Sequence, residues 1–175
     1  MKSLQNYITE KILINKNSKL AYNYHPKTKD ELKDIIKQKI EYEGNECNLN
    51  DIDTSNITDM SWLFDDSEFD GDISKWNVSK VTNMDSMFRY SRFNGDISNW
   101  DVSNVKNMNY MFAYSKFNGD ISKWDVSNVT NMDGMFFASK FDDDISNWDV
   151  SNVINKSRIF DDCPIEEKYK PKFKI

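Results

Sequence analysis

"FNGDISNWDVSNVKNMNYMFAYSKFNGDISKWDVSNV", residues 93–129, says nearly the same thing twice, 24 residues apart. The spacing extends in both directions. Trp76, Trp100, Trp124 and Trp148 keep it, with Ile52 in the same slot one period earlier. So do Phe64, Phe88, Phe112, Phe136 and Phe160, and Ile73, Ile97, Ile121 and Ile145. Apart from the initiator, every methionine falls in one of two columns, Met60, Met84, Met108 and Met132 or Met87, Met111 and Met135. Self-similarity at a fixed period of this length is the signature of a repeat architecture.

Two rhythms run inside each unit. Trp100 and Val102 alternate with Asp101, which predicts a short strand. Val105, Met108, Met111 and Phe112 are spaced to share one face of one or two helical turns. Asn118-Gly119 then predicts a turn with positive φ, as do Asp70-Gly71 and Asn94-Gly95. The fourth copy carries Asp142-Asp143 there, so a non-glycine residue must hold that turn or the turn has changed. A lone coil buries too little to stand by itself, whereas stacked coils bury both sides and align their strands at roughly 4.8 Å. The expected fold is therefore α/β, a solenoid with parallel strands on one face and short helical turns on the other.

Before the array, residues 28–44 read as a helix. Thr28 and Glu31 form a capping box, Gly44 stands at the C-terminal cap, and Leu32, Ile35, Ile36 and Ile40 make an apolar stripe. The expected organisation is an N-terminal segment with a capping helix (1–47), the 24-residue coils (48–163) and a basic tail (164–175). The repeat code decays at its end, where Lys156 takes the methionine column and Pro164 interrupts.

Composition narrows the function. Hydrophobic residues at 38% and aromatics at 14% suffice for a core, which argues against global disorder. No apolar run reaches the roughly 18 residues of a membrane span. The start, "MKSLQNYITEKILINKNSK", lacks the features of a secretion signal, so the chain as written is expected inside the cell, or at the cell surface if an export signal has been removed. Cys47 and Cys163 read as free thiols. Residues 48–163 carry 20 acidic against 10 basic side chains, −10 in a chain of net charge −6. That balance disfavours direct nucleic-acid binding, which draws on Lys and Arg, and favours a basic protein partner.

The string "DISKWDVSNVTNMDGMF", residues 120–136, resembles the bacterial surface-antigen-like leucine-rich repeats, often labelled BspA-like and catalogued in mycoplasmas as a domain of unknown function. "LNDIDTSNITDMSWLF", residues 49–64, resembles the usual beginning of such arrays. The resemblance covers about residues 48–163. It implies a leucine-rich-repeat-like solenoid with strands on the concave face, and surface proteins engaged in adhesion and protein binding. It implies no catalytic residues.

Catalytic chemistry is not legible. His25 is the sole histidine, beside Pro26, and nothing pairs it with a nucleophile. "DSEFDGD", with Asp66, Glu68 and Asp70, begins like a calcium loop, but Asn77 stands where its terminal glutamate belongs, and a turn with solvated acids is the expected reading. No enzyme activity, cofactor or metal is expected. The tryptophan column reads as core. Trp62 shares a variable column with Ser86, Tyr110, Gly134 and Arg158, so it is expected to face solvent. Tyr90, Tyr110, Tyr114 and Phe137 are further contact anchors on that rim. Asn77, Asp101, Asp125 and Asp149 lie between inward Trp and Val, and on stacked strands would form an acidic ladder. The leading expectation is a non-enzymatic protein-binding module that uses this acidic strand face and the aromatic rim. The alternatives are an inhibitor that mimics nucleic-acid charge and blocks a nucleic-acid-processing enzyme, and a surface adhesin. The open end of the stack leaves self-association available.

Overall fold

In the computed structural model, which describes residues 22–173, each 24-residue unit is one circuit of chain laid in register on the next. The first 21 residues of the expected N-terminal segment, and the last two of the tail, lie outside the described residues.

Corners shape each circuit. In the unit that begins at Asp96, the backbone N–H groups of Ser98, Ser103 and Asn109 donate to the side chains of Asp96, Asp101 and Asn107 at 2.9, 3.1 and 3.1 Å. Phe117 N–H donates to Ser115 Oγ at 3.3 Å. Short polar side chains that bond backbone two residues on make turns without needing tertiary help. Between these corners, Trp100 N–H reaches Ile97 O at 3.1 Å and Val105 N–H reaches Val102 O at 2.9 Å.

The inward residues form rows. Trp100, Val102, Val105, Met108, Met111, Phe112 and Phe117 are all buried, and their equivalents one unit away repeat the pattern. Phe88 stacks on Phe112 at 5.6 Å and Trp76 on Trp100 at 6.4 Å, with ring planes within a few degrees of parallel. Each indole N–H ties two coils together. Trp100 Nε1 donates to Ile73 O at 3.2 Å and Trp124 Nε1 to Ile97 O at 3.1 Å.

The expected α/β, leucine-rich-repeat-like solenoid with parallel strands on one face, short helical turns on the other and a helical cap is not what forms. The described residues contain no β-sheet. Parallel pairing between coils is reduced to single bridges, such as Asn83 with Asn107 and Asn107 with Asn131, and none among the described residues includes Trp76, Trp100, Trp124 or Trp148. Where alternation predicted a strand, the backbone closes two successive tight turns. Where the spacing predicted helical turns, Met84, Ser86, Phe88 and Tyr90 send their N–H groups to Asn107, Asn109, Met111 and Ala113 of the next coil, at 2.8–2.9 Å. A helix spends those donors on its own carbonyls, so helix and inter-coil bonding exclude one another here. The geometry needs left-handed residues, and they recur in two columns. Trp62, Ser86, Tyr110, Gly134 and Arg158 form one, and Asp66, Tyr90, Tyr114, Ala138 and Asp162 the other, all with φ between 49° and 63°.

The Asn-Gly turns also differ from expectation, because Gly71, Gly95 and Gly119 do not adopt positive φ. Glycine is there for space. A Cβ at Gly95 would stand 2.8 Å from the Phe93 ring, and one at Gly71 would stand 2.0 Å from Cys47 O. The clearance grows along the stack to 3.0 Å at Gly119, and the next position holds Asp143, whose Oδ1 accepts from Asp144 N–H.

Helix α1, Lys29–Glu43, starts at Thr28, whose hydroxyl accepts Glu31 N–H, and ends at Gly44 with φ 91°. It buries Leu32, Ile35, Ile36 and Lys39. The Lys39 ammonium meets Glu43 at 3.0 Å and Asp51 of the first coil at 3.3 Å, and lies over the Tyr24 ring. Burial works against that charge, but the two carboxylates outweigh it and hold the lysine above its ordinary range. At the other end, Tyr169 O accepts Ile145 N–H at 3.0 Å, and Ile165 is buried.

Candidate functional site

The sequence pointed to nine residues, and the coil divides them between two sides. Trp100 points inward next to Asp101, and Phe88 points inward next to Arg89 and Tyr90. Phe88 and Trp100 meet ring to ring across the core at 6.3 Å. The outward neighbours of one therefore face away from those of the other. The acidic column and the aromatic rim are separate surfaces.

Asn77, Asp101, Asp125 and Asp149 are exposed, but no strand carries them. Each Oδ1 accepts the N–H of the serine two residues on, at 3.1, 3.1, 3.0 and 3.0 Å. The hydroxyl and N–H of Ser127 hold the Asp125 carboxyl below the ordinary carboxylate range, against burial and the charge of Asp149. A second column, Asp72, Asp96, Asp120 and Asp144, closes the corresponding turns at Ser74, Ser98, Ser122 and Ser146. Turn closure accounts for both columns.

The rim is organised differently. Trp62, Tyr90 and Tyr114 are 39%, 49% and 41% exposed. The Arg89 guanidinium lies 4.6 Å from the Trp62 ring centre and 5.5 Å from that of Tyr90. Tyr90 stacks on Tyr114 at 4.4 Å, 6° from parallel. Tyr114 meets Phe137 edge to face at 5.1 Å, and the Arg158 guanidinium covers Phe137 at 4.1 Å. One ladder of rings and guanidiniums thus crosses successive coils. Asp65 holds Arg89 through two bonds, Nε to Oδ1 at 2.8 Å and Nη2 to Oδ2 at 3.2 Å.

Two of the expected anchors sit deeper than expected. Phe137 is buried, beneath Arg158. Tyr110 is half-buried, its ring against Gly134, where an added Cβ would stand 2.5 Å from the ring. Sequence reasoning missed Arg89 and Arg158 as members of the ladder. The opposite charges of Asp65 and Arg89, one period apart, were the signal for the first.

His25 Nδ1 lies 3.2 Å from Asp53 Oδ2, and their contact joins the residues before α1 to the first coil. Within the "DSEFDGD" stretch, Glu68 pairs with Arg92 and Asp70 accepts Asn94 N–H. Among the described residues no group of His, Cys, Asp and Glu is placed to hold a metal. Cys47 and Cys163 are free, and burial pushes the Cys47 thiol up. No described helix is long and apolar enough to cross a membrane.

No curated protein and no solved structure matches the chain. A family model does match, twice, over residues 31–116 and 113–169, which together take in most of the stacked coils and α1. By that match the chain belongs to the family described as Mycoplasma protein of unknown function, DUF285.

Proposed function

We propose that the protein is a non-enzymatic interaction module that engages a protein partner through the ladder from Trp62 to Arg158. The observation that carries this reading is the exposure of Trp62, Tyr90 and Tyr114 in one held row. Large aromatic side chains fixed before binding lose little freedom on contact, and with arginine they are the usual anchors of protein interfaces. The acidic column supports the reading less, since its side chains are committed to turns. Sugar stacking is also less well supported, because it uses open ring faces and this ladder spends its faces on its own members.

The test is affinity capture from lysate of the native host, with Tyr90→Ala/Tyr114→Ala compared against Asp101→Asn/Asp125→Asn/Asp149→Asn. Loss of two anchors is expected to weaken capture of a specific partner by roughly tenfold or more. The aspartate variant is expected to retain it. Equal capture by the ladder variant and the unaltered protein would reject the ladder as the contact surface.

A further inference from the structure

We infer that the last coil carries a second docking site, an open edge of backbone donors at Arg158, Phe160 and Asp162 that takes an extended segment of a partner polypeptide through the segment's carbonyl oxygens. A row of bonds that is complete four times and missing once points to it. Met60, Trp62, Phe64 and Asp66 donate to the second coil at 2.8–3.0 Å, and the rows that begin at Met84, Met108 and Met132 do the same to the coils that follow. In each row every second N–H crosses to a carbonyl 23 residues on. Arg158, Phe160 and Asp162 stand one period beyond Gly134, Phe136 and Ala138, and their N–H groups have no acceptor among the described residues. The edge is otherwise finished. Arg158 and Asp162 hold φ 56° and 55°, within the range of the paired rows. Asp161 and Cys163 close local turns on Arg158 O and Phe160 O, and Gly134, Phe136 and Ala138 take the carbonyls of Ser157, Ile159 and Asp161. Every carbonyl from Ser157 to Asp161 is spent, and only donors remain. An occupant must therefore bring acceptors at every second residue. An edge of unpaired backbone is a template for another chain, and donors already in their bonded conformation need little further ordering.

Residues 164–173 cover a different part of the last coils. Ile165 and Tyr169 stand one period beyond Phe141 and Ile145, Ile165 is buried, and Tyr169 O accepts Ile145 N–H at 3.0 Å. The Lys170 ammonium lies 5.6 Å from the centre of the Phe160 ring, which stacks on Phe136 at 5.8 Å. The ring is thus covered, and the edge offers its N–H groups, so recognition is through main chain. A second copy of this chain is a poor occupant. Like ends would set donors against donors. The corresponding carbonyl row, at Ser61, Leu63 and Asp65, belongs to the first coil, where α1 packs. Lys29 of that helix bonds the side chains of Asp59 and Ser61, and Ser61 and Leu63 are buried.

The probe is an end-blocked peptide with the sequence of residues 103–116, whose counterparts in the stack accept such a row at Asn109, Met111 and Ala113. A scrambled peptide of the same composition is the comparator. Amide exchange of the full chain, resolved by residue in NMR, is expected to be fast at Arg158, Phe160 and Asp162 and slow at Gly134, Phe136 and Ala138. The probe at roughly ten times its Kd is expected to slow the three fast amides about tenfold, and the scrambled peptide is not. Slow exchange at those amides in the free chain would overturn the inference. So would equal protection by both peptides, no protection by either up to about 1 mM, or sedimentation showing that copies of the chain associate through this end. The edge and the ladder fail separately. Tyr90→Ala/Tyr114→Ala is expected to lose the captured partner and keep the peptide's protection, whereas loss of that protection in the tyrosine variant would seat the peptide on the ladder and remove the edge as a site.

Discussion

Residues 97–105 and residues 108–114 lie on opposite sides of one coil and use their backbone in opposite ways. On the first side the bonds are local. Trp100 and Val105 close turns on Ile97 and Val102, and Asp101 caps Ser103. On the second side Met108, Tyr110, Phe112 and Tyr114 all donate to the next coil, to Asn131, Asp133, Met135 and Phe137. The first side is thus defined within each unit, whereas the second alternates local turns, Met111 on Met108 and Ala113 on Tyr110, with bonds to the next coil. The difference explains what each side presents. Local turns need Asp and Ser at set positions, so that surface repeats its acids. The bonded side asks only for left-handed φ at two columns, so Trp, Ser, Tyr, Gly, Arg, Asp and Ala all occur there.

The largest test of this contrast replaces Trp124, on the local side, by Phe. The indole N–H to Ile97 O is that side chain's own link to the coil before it. Removing the donor breaks one of the two hydrogen bonds to Ile97 O, which keeps Trp100 N–H, a cost of about 0.5–1.5 kcal/mol before the loss of packing that the smaller ring adds. Chemical denaturation should show that destabilisation. A neutral result would mean that the indole row does not couple the coils.

A smaller effect of opposite sign is expected on the bonded side. Ala138 holds φ 50° and donates to Asp161 O at 2.8 Å. Ala138→Gly relieves the left-handed strain, which for an L-residue is about 1–2 kcal/mol, and returns part of it through the freer unfolded chain. A net gain of up to about 1 kcal/mol is expected by thermal melting. A loss would show that this column does not store strain.

The smallest effect is in acid. Asp120 is held below the ordinary carboxylate range, first by the Ser122 hydroxyl and then by its N–H, and Asp96 is held likewise by Ser98. A lowered folded value stabilises the fold above the unfolded value and is lost as pH falls through the folded one, so this contribution fades below about pH 4. Carboxyl titration followed by NMR should place Asp120 low and move it upward in Ser122→Ala. No movement would assign the shift elsewhere.

How much could be read in advance follows the same division. The inward rows of Trp, Ile, Val, Met and Phe were legible, because burial repeats with the period and tolerates little else. Helix α1 was legible because Thr28, Glu31 and Gly44 act within a few residues of chain. Strand and helical turn were misread. Alternation such as Trp-Asp-Val, and three-residue spacing such as Val105, Met108 and Met111, also suit chained tight turns once other coils accept the backbone donors. Of the site, Trp62, Tyr90 and Tyr114 were legible as surface aromatics. Their stacking, and the seats of Arg89 over Trp62 and Arg158 over Phe137, were not.

The sequence by itself determined the period, the residues that enter the core and the corners where Asp, Asn and Ser bond their own neighbours, because those effects act over a few residues or repeat identically. Only the tertiary structure decided where the remaining N–H groups go, and with them the left-handed columns, the single bridges in place of a sheet and the row of rings on the surface. Those bonds join residues 23 or more positions apart, and no local preference in the chain encodes which neighbour will accept them.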